Sequence, residues 1–111
     1  MSKSGFLGEF EQMVLLAILQ LDADAYAPDV SARLEASASR RVSRGALYST
    51  LDRLERKGLV EWKIEAASPQ RGGYRKRRFA VTAPGVHALQ QSREALMTLW
   101  NGLDDVLAKN R

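Results

Sequence analysis

Val42-Ser43-Arg44-Gly45-Ala46-Leu47-Tyr48-Ser49-Thr50-Leu51-Asp52-Arg53-Leu54-Glu55-Arg56-Lys57-Gly58-Leu59 is the stretch whose reading decides the fold. Ser43 predicts an N-cap, because its hydroxyl can accept one of the N–H groups that a first helical turn leaves unpaired. Leu47, Leu51 and Leu54 recur at spacings of four and three and so share the inward face of one helix. Arg44, Tyr48, Ser49, Asp52, Arg53 and Arg56 are left facing outward. Lys57-Gly58-Leu59 predicts the stop: Gly58 can take the left-handed conformation while Leu59 packs back on the last turn.

Downstream, Val60-Glu61-Trp62-Lys63-Ile64-Glu65 alternates apolar and polar residues, the pattern of a half-buried strand. Ala66 to Lys76 holds Pro69, Gly72 and Gly73 and predicts a long hairpin loop. Arg77 to Thr82 predicts the return strand, with Phe79 and Val81 on one face. Upstream, Pro28 suits the first turn of a helix running to about Ala36, with Val30 and Leu34 one turn apart. Ser37 to Val42 is then a short connector carrying Arg40 and Arg41. Glu9 to Leu21 predicts an earlier helix whose middle, Met13 to Leu19, is apolar nearly all round. Such a helix needs cover on more than one side, and a partner chain against residues such as Leu15 and Leu19 can supply part of it.

Thr82 can cap a last helix from about Ala83 to Ala108, with Pro84 in its first turn. Leu89, Leu96 and Leu103 repeat every seven residues there, and Trp100 and Leu107 form a second row. The stripe resembles a coiled-coil seam interrupted at Arg93, and so small a body cannot cover it all. The expected fold is mainly α: a winged helix-turn-helix of three helices and a two-stranded β-hairpin, followed by a long C-terminal dimerisation helix. Within one compact domain, residues 1–82 are assigned to the winged helix-turn-helix and 83–111 to the dimerisation helix.

Composition bounds the function. With 111 residues, 45% of them hydrophobic and 27% charged, the chain suits one modest core. It has no cysteine, which excludes disulfide scaffolds and thiolate metal sites and fits a reducing compartment. Met13–Leu19 is too short to span a bilayer, so a soluble, unprocessed, cytoplasmic protein is expected. Charge is distributed unevenly: residues 40–78 hold twelve basic side chains against four acidic, while the remainder holds five against nine. A basic run alone is usually a solvated face. This one coincides with a helix pair and a hairpin, where it fits a polyanion.

A second helix with a polar, basic outer face matches the helix-turn-helix plan, in which that helix enters the major groove. Arg44 can donate two hydrogen bonds to guanine, Gly45 allows close approach, Tyr48 and Ser49 can meet phosphate or a base edge, and Ser43 is counted among the DNA-binding residues. Tyr48 fits a half-buried packing role equally well. Arg53 and Arg56, further along, are assigned to phosphate, and Arg40 and Arg41 of the connector are counted among the DNA-binding residues. Arg71, Arg75, Lys76, Arg77 and Arg78 surround the hairpin loop and can lie in a minor groove or along phosphates. Among enzymes, nothing fits: His87 is the single histidine, no nucleophile elbow is present, and Gly72-Gly73 is not followed by a phosphate-loop lysine. No cofactor, catalytic residue or metal site is expected. A winged helix serving only protein–protein contact is the alternative, but it leaves the basic excess unexplained. RNA binding is weaker still, since aromatic stacking platforms are missing.

Gly8-Glu9-Phe10-Glu11, the stretch from Val42 to Val60, and Gly72-Gly73-Tyr74-Arg75-Lys76-Arg77-Arg78-Phe79-Ala80-Val81-Thr82 together resemble the PadR family of transcriptional regulators, over about residues 6–107. The resemblance implies a winged-helix homodimer, usually a repressor, whose final helix crosses the partner's first helix. It implies operator reading by Arg44, Tyr48, Ser49 and the Arg75–Arg78 run, and double-stranded DNA as partner. The family's paired aromatics in the second strand stand here as Arg78-Phe79, and its Thr-Pro-Xaa-Gly helix start as Thr82-Ala83-Pro84-Gly85. Some relatives bind planar compounds between aromatics at the dimer centre. Trp100 is the residue here that could receive such an effector, although a tryptophan in a helical stripe is more often packing.

Overall fold

The computed structural model describes residues 7–65 and 76–110. The elements are α1 (Glu9–Leu21), a 3-10 turn (Asp22–Asp24), α2 (Ala27–Ala38), α3 (Arg44–Arg56), β1 (Val60–Glu65), β2 (Lys76–Val81), α4 (Ala83–Trp100) and α5 (Asp104–Lys109). The winged helix-turn-helix architecture expected from the pattern is present, with β1 and β2 forming an antiparallel hairpin. The hairpin loop, with Gly72, Gly73, Arg71 and Arg75, lies outside the described residues.

Local chemistry sets the ends of α3. The Ser43 hydroxyl accepts from the Ala46 N–H at 3.1 Å, as the cap reading required. At the other end Gly58 takes φ +77°, its N–H donates to Glu55 O at 2.9 Å, and the Leu59 N–H donates to Leu54 O at 3.0 Å. Those two bonds complete a Schellman motif, which requires a left-handed residue at position 58. The preceding turn begins where Ser39 takes φ 51° and ends α2.

Val14, Leu15 and Ile18 of α1, Val30 and Leu34 of α2, and Leu47, Leu51 and Leu54 of α3 are buried together with Val60 and Phe79 of the hairpin. Each such side chain contributes roughly 1.5–3 kcal/mol through removal from water. Register pairs Val60 with Val81, Trp62 with Phe79 and Ile64 with Arg77. Directly opposed residues share a face, so Phe79 enters the core from the same side as Arg77. The Phe79 N–H donates to Ala25 O at 2.8 Å and fastens β2 to the entry of α2.

The start of α4 is clamped to the α3–β1 turn. Thr82 Oγ1 donates to Gly58 O at 2.7 Å and accepts from the Gly85 N–H at 3.1 Å. A Cβ at Gly85 would run into Leu59 O and come within 2.6 Å of Val81 Cγ1, so this close approach requires glycine. From there α4 buries a row of small residues, Gly85, Ala88 and Ser92, toward the body.

Three expectations are corrected. The last helix does not continue to Ala108: Asn101 and Gly102 interrupt it, with Gly102 at φ +84°, and α5 begins at Asp104. The Leu89–Leu96–Leu103 repeat therefore does not run along one helix, because Leu103 lies in the break. Leu15 is fully buried in the core and has no surface to offer a partner. The exposed residues of α1 are Leu16 at 48% and Leu19 at 43%. A helix apolar on nearly every side carries no period to show which leucine faces in.

Candidate nucleic-acid interface

The N-terminal turn of α3 stands beside β2. The Arg44 guanidinium lies 5.9 Å from the centroid of Tyr48, one turn along the same helix. Arg77 comes to the same ring from β2 at 5.3 Å, and also lies 4.9 Å from Trp62 and 5.8 Å from Phe79. These contacts link the helix to the hairpin through a chain of cations and rings. A ring attracts a guanidinium through its quadrupole and leaves the N–H donors free for other acceptors. Arg44 is exposed, and no ion pair with it is found among the described residues.

Arg44 and Tyr48 also border a cleft of about 400 Å³ between α2 and α3, closed by Ala27, Pro28, Ser31, Val42 and Leu47. Lys76 lies 5.3 Å from the ring of Tyr26, the residue that precedes α2. Lys76 thus stands separately beside the start of α2, and Arg44, Tyr48 and Arg77 form one cationic surface at the start of α3. Ser43, Gly45 and Ser49 are exposed on the same helix.

The basic run of the hairpin does not act as one ledge. Strand alternation sends Arg77 to the aromatic face, while Lys76 and Arg78 go to the other. Arg78 Nε donates to Glu65 Oε2 at 3.1 Å. Arg41 and Glu35 approach to 3.5 Å with both side chains largely in water, a pair that neutralises little. Arg40 lies 3.5 Å from Glu9 and 5.1 Å from the Phe10 ring. Arg71 and Arg75 lie outside the described residues.

Arg53 departs most from the sequence reading. Instead of facing water, its Nε donates to Glu11 Oε2 at 3.0 Å, and Lys57 Nζ donates to the same oxygen at 2.8 Å. The Gly8 N–H donates to Glu11 Oε1 at 3.0 Å. Burial pushes the Glu11 carboxyl up, but hydrogen bonds from Lys57, Gly8 and Arg53 outweigh it and lower its pKa from 4.5 to about 2. Sequence reasoning missed Glu11. The buried stripe that Glu11 shares with Val14, Leu15 and Ile18, where a carboxylate demands cations, is hidden in the sequence because α1 is apolar on its other faces too. Tyr26 and Ser31 were missed because neither belongs to a charged run.

Between α1 and α4, Leu16 and Leu19 of α1 and Val86, Leu89, Leu96, Met97 and Trp100 of α4 line a mainly apolar groove of about 430 Å³. Trp100, the last residue of α4, is 46% exposed there, and Leu103 and Leu107 beyond it are also exposed. Among the described residues no helix is long and apolar enough to cross a membrane, and no acidic or histidine cluster could hold a metal ion.

The model of the transcriptional regulator PadR-like family matches residues 15–91. Similar solved structures include a PadR-like transcriptional regulator from Bacillus cereus, 22% identical, with a TM-score of 0.70 over 88% of this chain and 90% of that one. A PadR family transcription regulator from Clostridium difficile is 18% identical, with a TM-score of 0.69 over 88% of this chain and 98% of that one. A third, from Eggerthella lenta, is 22% identical, with a TM-score of 0.66 over 89% and 86%. At these identities the likeness establishes a shared fold. No match was found among curated protein sequences.

Proposed function

The chain belongs to the PadR-like family of transcriptional regulators, and from that premise we propose that it is a cytoplasmic homodimer that binds double-stranded DNA and represses the genes beside its operator. The observation that carries this reading is the cationic surface in which Arg44, at the N-terminal end of α3, is joined to Arg77 of the hairpin through Tyr48. In this reading α3 enters the major groove, Arg44 reads a base, Gly45 permits close approach, and Ser43 and Ser49 meet phosphate. Lys76 and Arg77 meet the flanking backbone, and Arg71 and Arg75, which lie outside the described residues, are assigned to it as well. Arg40, Arg41 and Arg78 add long-range attraction, and Arg53 is withdrawn to Glu11.

Residues 1–82 bind DNA in this proposal, and residues 83–111 hold the dimer. The support for a dimer is the exposed apolar groove between α1 and α4, with Leu19, Leu89, Leu96 and Trp100 on its walls. Leu103 and Leu107, also exposed, are assigned to the same interface. A small-molecule effector would enter beside Trp100, where an aromatic face remains open.

Selection of bound sequences from random duplex DNA, repeated with Arg44→Ala, tests the reading. A twofold-symmetric site with half-sites about 34 Å apart is expected, and the variant should lose preference at one position in each half. Recovery of no enriched sequence by the wild type would refute sequence-specific binding. A monomer by light scattering at micromolar concentration would refute the dimer. A promoter carrying the selected site should be silenced by the chain, and activation would overturn repression.

A further inference from the structure

Glu11 has a consequence for the binding surface beyond its place in the core. Arg53 and Lys57 stand one and two turns beyond Ser49, so the three form an i, i+4, i+8 row along α3. Ser49 belongs to the proposed DNA face, and the row continues from it toward the first turn of α1. The two cations are half exposed, at 46% and 44%, whereas the Glu11 side chain that accepts from both is 7% exposed. A phosphate could therefore reach Arg53 and Lys57 from outside, but their Nε and Nζ are directed inward at 3.0 and 2.8 Å. Arg53 also donates to Thr50 Oγ1 at 3.4 Å, which holds its fork against its own helix.

Non-specific affinity for duplex DNA grows with the number of phosphates a protein neutralises, and each one steepens the salt dependence by about 0.9 in log K against log salt. A cation already hydrogen-bonded to a buried carboxylate adds little to that count, since a phosphate would have to displace a partner that cannot be left unpaired. Arg44 and Arg77 stand in contrast, because rings orient them without neutralising them.

We propose that Glu11 is a specificity-determining positioning residue: by holding Arg53 and Lys57 off the DNA backbone, it keeps sequence-independent binding weak while Arg44 retains its base contact. This inference rests on the DNA-binding reading above. Glu11 touches no nucleic acid in this scheme and acts through the two cations it holds.

The experiment measures, for the full chain, the salt dependence of binding to a random-sequence duplex and to the selected operator, together with elution from immobilised heparin. Glu11→Gln should bind the random duplex roughly three- to tenfold more tightly at low salt, with a slope steeper by about one to two. Operator affinity should rise less, so discrimination falls, and elution from heparin should need more salt. Arg53→Met or Lys57→Met alone should leave the wild-type slope unchanged, while Arg53→Met added to Glu11→Gln should remove about one unit of the gained slope. A folded Glu11→Gln protein with wild-type slope and elution overturns the proposal. So does a single cation variant that lowers the wild-type slope by about 0.9. If Glu11→Gln shows no cooperative melt, the single cation variants decide, because each keeps Glu11 and one partner. Failure of the wild type to bind any duplex would remove the function reading and with it the specificity role. Heparin elution would then show separately whether Glu11 masks the two cations.

Discussion

The two flanks of α3 hold their cations by different means. Toward α1, Arg53 and Lys57 are hydrogen-bonded to one buried carboxylate. Toward the hairpin, Arg44 and Arg77 lie against the rings of Tyr48 and Trp62. A carboxylate consumes charge and donors alike, so the first flank gains stability and gives up anion affinity. A ring fixes direction while leaving the charge and the edge N–H groups available. The same helix can thus be anchored along one side and presented to a polyanion along the other.

The largest expected effect tests the anchored flank. Glu11 has a folded-state pKa of about 2 against 4.5 unperturbed. Because the folded value is the lower, its contribution to stability is fully present above pH 4.5 and is lost as pH falls through 4.5 toward 2. About 3 kcal/mol is at stake across that window. Urea unfolding at steps from pH 6 to pH 2 should show wild type and Glu11→Gln converging at the acid end. A stability gap between them that stays constant would mean the carboxylate is not what the cations hold.

On the presented flank, Arg44→Ala should weaken operator binding by roughly 1–3 kcal/mol, the value of a bidentate base contact, with the melting temperature almost unmoved. Fluorescence anisotropy with the selected duplex measures the first and calorimetry the second. Equal losses from Arg44→Ala and Arg53→Met would erase the distinction between the flanks.

The helix and strands that carry this contrast were legible in the sequence, whereas the contrast itself was not, and the illegible part has a common physical origin. The limits of α3 depend on interactions within a few residues, a serine hydroxyl and a glycine at positive φ, and both can be read from the chain. Strand alternation likewise put Phe79 and Val81 on one face, and the register pairs them with Trp62 and Val60. The partners of Glu11 lie 42 and 46 positions away, and only packing chooses them. Once the fold buries Glu11 beside Val14, Leu15 and Ile18 a cation is needed, but many arginines could have supplied it. In α4 the seven-residue leucine repeat outweighed Asn101-Gly102 in the sequence reading, yet a glycine at φ +84° ends that helix. The row that docks α4 is small residues, whose low hydrophobicity hid it behind the leucines.

Tyr48 separates orientation from charge. Tyr48→Phe keeps the ring for Arg44 and Arg77, so operator affinity should hold to within about twofold unless the hydroxyl itself meets phosphate. Tyr48→Leu removes the ring while filling similar space and should cost roughly 0.5–1 kcal/mol, the worth of an exposed cation–π contact. If Phe lost as much as Leu, the hydroxyl rather than the π face would be the operative group, and the stacked flank would have to be reinterpreted.

The smallest effect is expected at Glu65, where the hairpin repeats the α1 arrangement in a weaker form. Glu65 accepts from Arg78 at 3.1 Å, but about a third of each side chain is exposed, against 7% for Glu11. Solvent there screens the pair, so Glu65→Gln should change stability by only a few tenths of a kcal/mol. It should also free one arginine beside the proposed interface and raise random-duplex affinity about twofold, with a salt slope steeper by less than one phosphate equivalent. Set beside Glu11→Gln, the variant asks whether burial of the carboxylate decides how firmly a cation is withheld. A response at Glu65 as large as that at Glu11 would show that burial is irrelevant and that any acidic neighbour serves.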